Sequence, residues 1–279
     1  HGFFLHGNRG RKPPLYASRT MGWNNSRPEG RYIFARCHFV QDVNWITNDI
    51  DRYILRKLED NQLPTPKIAL AETLIRRTFF NLTGLPPTPD ELAHYRKTLK
   101  SPDGFQAMVA DLLASPHYGE RWGRHWLDIV RYGESMGRTR NYPFKFAWKY
   151  RDYVIAAFNQ DKPYDFFVKE QIAGDLLQES GNPAQQKMRV IATGFLSLGP
   201  KVLAEVDAKK MEMDIIDEQI NTLGQAFLGL TLGCARCHDH KFDPVSMDDY
   251  YGLVGIFQST RTMEHFSKVA RWYENSIAS

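Results

Sequence analysis

Cysteine is scarce: the chain of 279 residues has three, Cys37, Cys234 and Cys237. So few thiols exclude a small scaffold stapled by a disulfide framework, and a zinc site would have no second cysteine pair to draw on. No apolar run approaches the roughly 20 residues that a membrane-spanning helix needs, so no transmembrane segment is expected. The 36 Lys and Arg are scattered among 32 Asp and Glu, for a formal net charge of +4. With no basic run to follow a phosphate backbone, nucleic acid is not an expected partner. Alternation of period two is almost absent, which argues against sheet, and no internal repeat is found. No Ser/His/Asp arrangement, phosphate-cradling glycine loop or paired-carboxylate spacing stands out. The opening HGFFLHGNRG lacks an initiator Met, a charged n-region and an apolar h-region, and reads as a mature piece, already processed or cut from something longer.

What is present is an ordinary globular composition, 42% hydrophobic, with 13% aromatic residues that can pack a core or line a flat cofactor. Residues 1–44 mix Gly, Pro, Arg and aromatics without a sustained period and read as an extended N-terminal arm. From Trp45 the pattern is helical. Ile50, Tyr53, Ile54 and Leu58 recur at helix spacing behind Asn48 as N-cap, and Leu70, Leu74, Thr78 and Leu82 continue it. Thr88 to Glu91, TPDE, is a capping box with Pro at the first helical position, and Ser101-Pro102 is read as the same device ahead of Phe105, Met108, Val109, Leu112 and Leu113. The longest pattern, Ile216, Ile220, Leu223, Phe227 and Leu230, is spaced four, three, four, three, as packing along a neighbouring helix requires. Ser246 caps a last helix with Tyr250, Leu253, Val254 and Phe257 on one face. The predicted class is mainly α, a multi-helix single domain over residues 45–279 behind the arm.

The stretch GCARCHDHKFDP contains C-x-x-C-H at Cys234, Cys237 and His238. Chance would produce this pattern only about once in a thousand chains of this composition. Two thiols one turn apart can add across the two vinyl groups of a haem while the adjacent imidazole takes the iron. A zinc site would have to recruit His238 or His240 from the same crowded turn, and a thioredoxin-like dithiol expects a strand before the motif, where this chain reads as helix. One covalent haem c, with His238 as proximal ligand, is therefore expected. Arg236 and Lys241 are candidates to neutralise its propionates, and His240 to orient His238 or bond a propionate; solvated loop charges are the plainer account. The echo FARCH offers Cys37 and His38 for a second haem through a single thioether, but chance recurrence of a tetrapeptide is a sufficient account.

The segments IDRYILRKLE, TLIRRTFFNLTGLPPTPDE, LLASPHYGERWGRHWLDIVRYGES, WKYRDYVIAAFNQDKPYDFFVKEQIAGDLL, ATGFLSLGP and FLGLTLGCARCHDHKFDPVSMDDYYGLVGIFQSTRT together closely resemble the planctomycete-type cytochrome c domain, a family usually described as a domain of unknown function. The resemblance covers about Trp45 to the C-terminus. It implies an exported c-type haem domain, often fused to a second uncharacterised domain and to other cytochrome or carbohydrate-binding modules. Attachment of haem to C-x-x-C-H in oxidising, extracytoplasmic space agrees with that location.

For the other side of the iron, Trp122, His125, Trp126, Ile129 and Val130 share one helical face, which predicts a buried imidazole in an aromatic stripe. His125 is the candidate distal ligand or hydrogen-bond partner, against the alternative of a satisfied core histidine. Met263 is the alternative distal ligand, and Trp122 and Trp126 are candidates to line the porphyrin. Three functions follow: an electron-transfer module between extracytoplasmic redox partners; a haem-dependent redox enzyme or the electron-accepting domain of one, acting on carbohydrate; or a structural subunit of a larger cytochrome assembly.

Overall fold

The computed structural model describes residues 40–136, 142–177, 182–200 and 205–265, and the backbone of 271–272. Most of the arm assigned to residues 1–44 lies outside the described residues, as do Cys37 and His38. The chain divides into two compact units, His1–Ala69 and Leu70–Ser279. The structure is mainly helical, and no described helix is long and apolar enough to cross a membrane.

In the first unit, helix α1 spans Asp49–Asp60. Asn48 caps it as expected: its Oδ1 accepts the Asp51 N–H at 3.1 Å, while the Asp51 carboxylate accepts the N–H groups of Thr47 and Asn48. These bonds satisfy amides that the first helical turn leaves unpaired. Leu55 is the buried residue of α1. Ile50, Tyr53 and Ile54, whose spacing marked the helix, are exposed.

The second unit begins with α2 (Ala71–Leu82), α3 (Pro89–Thr98) and α4 (Gly104–Leu113). Ile75 and Phe79 of α2, Tyr95 of α3, and Met108 and Leu112 of α4 form their common core. Thr78 is buried and Leu82 packs against this core as the pattern predicts, and Ile75 and Phe79 beside them carry most of the buried apolar face. The Thr88 capping box is formed, with Glu91 accepting the Thr88 N–H at 2.8 Å. Ser101 does not cap α4, which starts three residues later behind Asp103 with no side-chain cap.

The main core gathers α5 (Pro116–Ile129), α6 (Ala147–Asn159), α7 (Tyr164–Ala173), α8 (Pro183–Ala192), α9 (Ala208–Leu223) and α10 (Met247–Gln258). Helices α5 and α6 approach closely at Gly119, where a Cβ would lie 2.4 Å from the Ile155 carbonyl oxygen. The Gly119 N–H donates to Asn159 Oδ1 at 2.7 Å, so the missing side chain allows both the close approach and the bond. Trp126, Tyr150, Tyr153, Phe167, Phe195, Ile216, Ile220, Tyr250 and Val254 fill the centre. Burying each large side chain of this kind stabilises by roughly 1.5–3 kcal/mol relative to leaving it in water. Some of the polar groups admitted to this core are paired, while Gln171 Nε2 and Gln219 Oε1 have no hydrogen-bond partner among the described residues. Trp126 Nε1 donates to Tyr150 Oη at 3.1 Å and to Gln171 Oε1 at 3.2 Å, and Tyr153 Oη donates to the buried Glu170 at 2.8 Å. Past α10 the chain enters a short antiparallel pair, β1 (Met263–His265) with β2 (Arg271–Trp272).

Candidate functional site

The C-x-x-C-H stretch follows α9. A π-helical turn over Gly224–Leu228 extends that helix and ends at Gly229, whose φ of +67° lies in the left-handed region where glycine carries no steric penalty. The chain reverses there and enters a 3-10 turn over Leu232–Arg236. A 3-10 helix has three residues per turn, so i and i+3 share a face. Leu232 and Ala235 therefore point together into the core, 3% and 0% exposed. Cys234 and Cys237 share another face, and both thiols are exposed and free. His238 follows, also exposed.

The turn packs on α9 and α10 and is pinned to them by polar bonds. Arg236 pairs with Asp214 at 3.0 Å and Asp217 at 3.4 Å, both on α9. Burial alone would raise the Asp214 carboxyl, but hydrogen bonds from Lys210 and Arg236 outweigh it and hold the group below its ordinary value of 3.8. Tyr250 Oη donates to Asp217, and Tyr251 Oη to the Arg236 carbonyl at 3.0 Å. Asp239 accepts the Met247 N–H at 2.9 Å, tying the motif to the first turn of α10, whose capping box is Ser246 with Asp249 as expected.

His240 is the centre of the loop. Its side chain is only 7% exposed. Nδ1 accepts the N–H of Asp243 at 2.9 Å and of Phe242 at 3.3 Å, and Nε2 lies 3.1 Å from Thr231 Oγ1. Because two backbone donors aim at Nδ1, the proton sits on Nε2 and is donated to the Thr231 hydroxyl. Asp243 Oδ2 is also 3.3 Å from Nδ1, but a protonated Nδ1 would face both amides, so the acceptor role governs. Both ring nitrogens are thus used within the loop, and Arg236 likewise uses its guanidinium on α9 carboxylates. These bonds give both residues a part in holding the turn. The carboxylate pair Asp214 and Asp217, spaced i, i+3 on the helix before the motif, was a signal that went unread.

His238 is oriented differently. Its Nδ1 lies 2.8 Å from the Asp239 carbonyl oxygen. A carbonyl can only accept, so Nδ1 carries the proton and Nε2 keeps a free lone pair, the tautomer that a metal-ligating imidazole requires. Two exposed thiols on one face, a histidine with Nε2 available, and the exposed side chains of Leu228 and Phe242 nearby in the chain form a set that fits a haem attached at the surface. Lys241 stays in the candidate set, with its ammonium 5.1 Å from the centroid of the Phe242 ring. Two cavities of the second unit, of about 650 and 170 Å³, are not lined by any motif residue. Leu232 and Ala235 belong to the same buried cluster as Ile216, Ile220, Tyr250 and Val254 of the flanking helices.

The remaining candidates lie on other elements of the second unit. Trp126 is in the main core, and its ring centroid lies 5.7 Å from that of Phe227 in the π turn. Trp122 is 38% exposed and donates its indole N–H to the Asn81 carbonyl of α2 at 3.1 Å. His125 is exposed beside it, with ring centroids 5.3 Å apart. The predicted burial of His125 is corrected: Gly119, Gly123, Trp126 and Leu127 form the inward face of α5, and the glycines let α6 approach there. Met263 is enclosed with Met136, Met211 and Ile215 in a small cluster of its own. Among the described residues no group of three or more His, Cys, Asp or Glu side chains is arranged to hold a metal ion.

These features define a mainly helical domain with an outward-facing C-x-x-C-H turn anchored on two helices. The chain belongs to the PSCyt2 family, described as proteins of unknown function (DUF1549), whose pattern matches residues 49–262. Comparison with curated proteins and with solved structures finds no match.

Proposed function

We propose that this chain is an exported c-type cytochrome domain that carries one haem and passes electrons between extracytoplasmic partners. The observation that carries the reading is the division of labour in the turn: Leu232, Ala235, Arg236 and His240 fix it to the protein, while Cys234, Cys237 and His238 all face outward. Cys234 and Cys237 would hold the haem through thioethers, each S–H adding across one vinyl group with its hydrogen going to the neighbouring carbon and no net oxidation. His238 offers Nε2 to the iron, and the Asp239 carbonyl, by accepting from Nδ1–H, makes that nitrogen a better donor. Bound haem supplies one-electron exchange. The pinned turn keeps the imidazole from swinging, and its exposure keeps the electron path to a docking partner short. The formal charge of +4 favours an acidic face on that partner. Export follows from the chemistry, since paired thiols are loaded with haem where the cell is oxidising.

The test is the intact mass of the chain produced in a host with working haem-attachment machinery. It should exceed the polypeptide by one haem, fall to the bare polypeptide in Cys234→Ala/Cys237→Ala, and stay raised in His238→Ala with an altered absorption spectrum. An unmodified wild-type mass overturns the proposal. Slow or absent CO binding to the reduced protein separates an electron carrier from the alternative of a redox enzyme with an open iron position.

A further inference from the structure

A second feature lies apart from the motif. The cavity of about 650 Å³ is formed where the start of α6, the end of α7, the turn Thr193–Leu196 and the strap Thr260–Thr262 meet, and its volume is that of a small-molecule site. Its floor is apolar: Tyr150, Leu196 and Leu198 are 2%, 5% and 5% exposed. Its lining carries Lys145 and Lys149 with one carboxylate, Asp175. Elsewhere in this unit some lysines are paired with acids, as Lys162 is with Glu170, Lys169 with Asp165 and Lys210 with Glu205 and Asp214. Lys145 and Lys149 have no carboxylate partner among the described residues. The Lys149 ammonium instead lies 4.9 Å from the Phe146 ring centroid and 5.7 Å from that of Trp148, at the edge of the opening. Helix α6 also begins here without a side-chain cap, so its first-turn amides add to the positive potential.

We propose that this cavity binds a small organic anion, a carboxylate or phosphate monoester carried on an apolar, ring-sized body. Inorganic phosphate would use the lysines but leave the apolar floor to water, and a neutral apolar molecule would use the floor but not the charge. Only a ligand with both parts gains from burial and from opposite charge together. The proposal does not depend on haem attachment and fails or stands separately from it.

Isothermal titration of the full chain with 2-naphthoate, 2-naphthyl phosphate, 2-naphthamide and inorganic phosphate tests it. At least one of the two naphthyl anions should bind about tenfold or more tighter than the amide, and inorganic phosphate should not compete at equal concentration; the ratio of the two anions tells carboxylate from phosphate. Lys145→Gln/Lys149→Gln should keep the melting temperature and lose the preference over the amide. Ile172→Trp, which places a large ring at the cavity wall, should remove binding of both. Equal binding of anions and amide, full competition by phosphate, absence of any binding, or binding untouched by Ile172→Trp overturns the proposal.

Discussion

Replacing His240 with Ala tests whether this residue clamps the loop or attends a cofactor. The ring accepts two backbone N–H groups at Nδ1 and donates to Thr231 at Nε2, and its side chain is 7% exposed, so the three partners cannot all be rehydrated without movement of the loop. Leaving a buried donor unpaired costs about 1–3 kcal/mol. One of the three contacts is long, at 3.3 Å, and the loop can relax toward solvent, so the total should be about 2–3 kcal/mol. For a unit of this size each kcal/mol moves the melting temperature by about 2–4 °C, which gives a drop of roughly 5–10 °C. His240→Asn should recover about half, because its Oδ1 can accept from the same amides but its amide group falls short of Thr231. Thermal and urea unfolding of wild type, Ala and Asn variants provide the measurement. An Ala variant that melts with wild type, or an Asn variant no better than Ala, refutes the clamp. A shift in the reduction potential of the haem-loaded protein with no loss of stability would restore the propionate role instead.

Three further outcomes are expected. Gly119→Leu should destabilise by at least 3 kcal/mol, read by urea unfolding, since any Cβ meets the Ile155 carbonyl at 2.4 Å; a loss under 1 kcal/mol would mean that α5 and α6 are not so close. Asp214→Asn should cost about 1 kcal/mol at neutral pH. Because the folded-state carboxyl sits below 3.8, the stability it contributes is present above that value and lost as pH falls through the lower, folded-state pKa, so wild type and variant should converge on acidification and a pH-independent gap counts against the ion pair. His125→Ala should change unfolding by no more than about 0.5 kcal/mol, as for other exposed helix positions; a large loss would mean that its side chain is covered after all.

Much of this protein is local, and that part was readable. Caps such as Asn48, Thr88 and Ser246 act within three residues of themselves, and the apolar period of three and four from Ile216 to Phe227 is helical, whereas Leu230, expected to continue it, lies beyond the reversal at Gly229. The C-x-x-C-H spacing likewise names its own candidate chemistry. Where a residue points depends on which neighbour arrives, and that is tertiary. His125 and Trp126 are adjacent on α5, yet Gly119 and Gly123 draw α6 onto one side, so Trp126 is buried and His125 left in solvent. Asp214 and Asp217 are unremarkable helix carboxylates until the chain reverses at Gly229 and brings Arg236 back over them. His238 and His240 are two residues apart and chemically identical. The fold encloses one between Thr231 and the backbone of residues 242–243 and leaves the other facing outward with Nε2 free, because the path of the loop turns its own backbone and Thr231 onto the first ring and not onto the second.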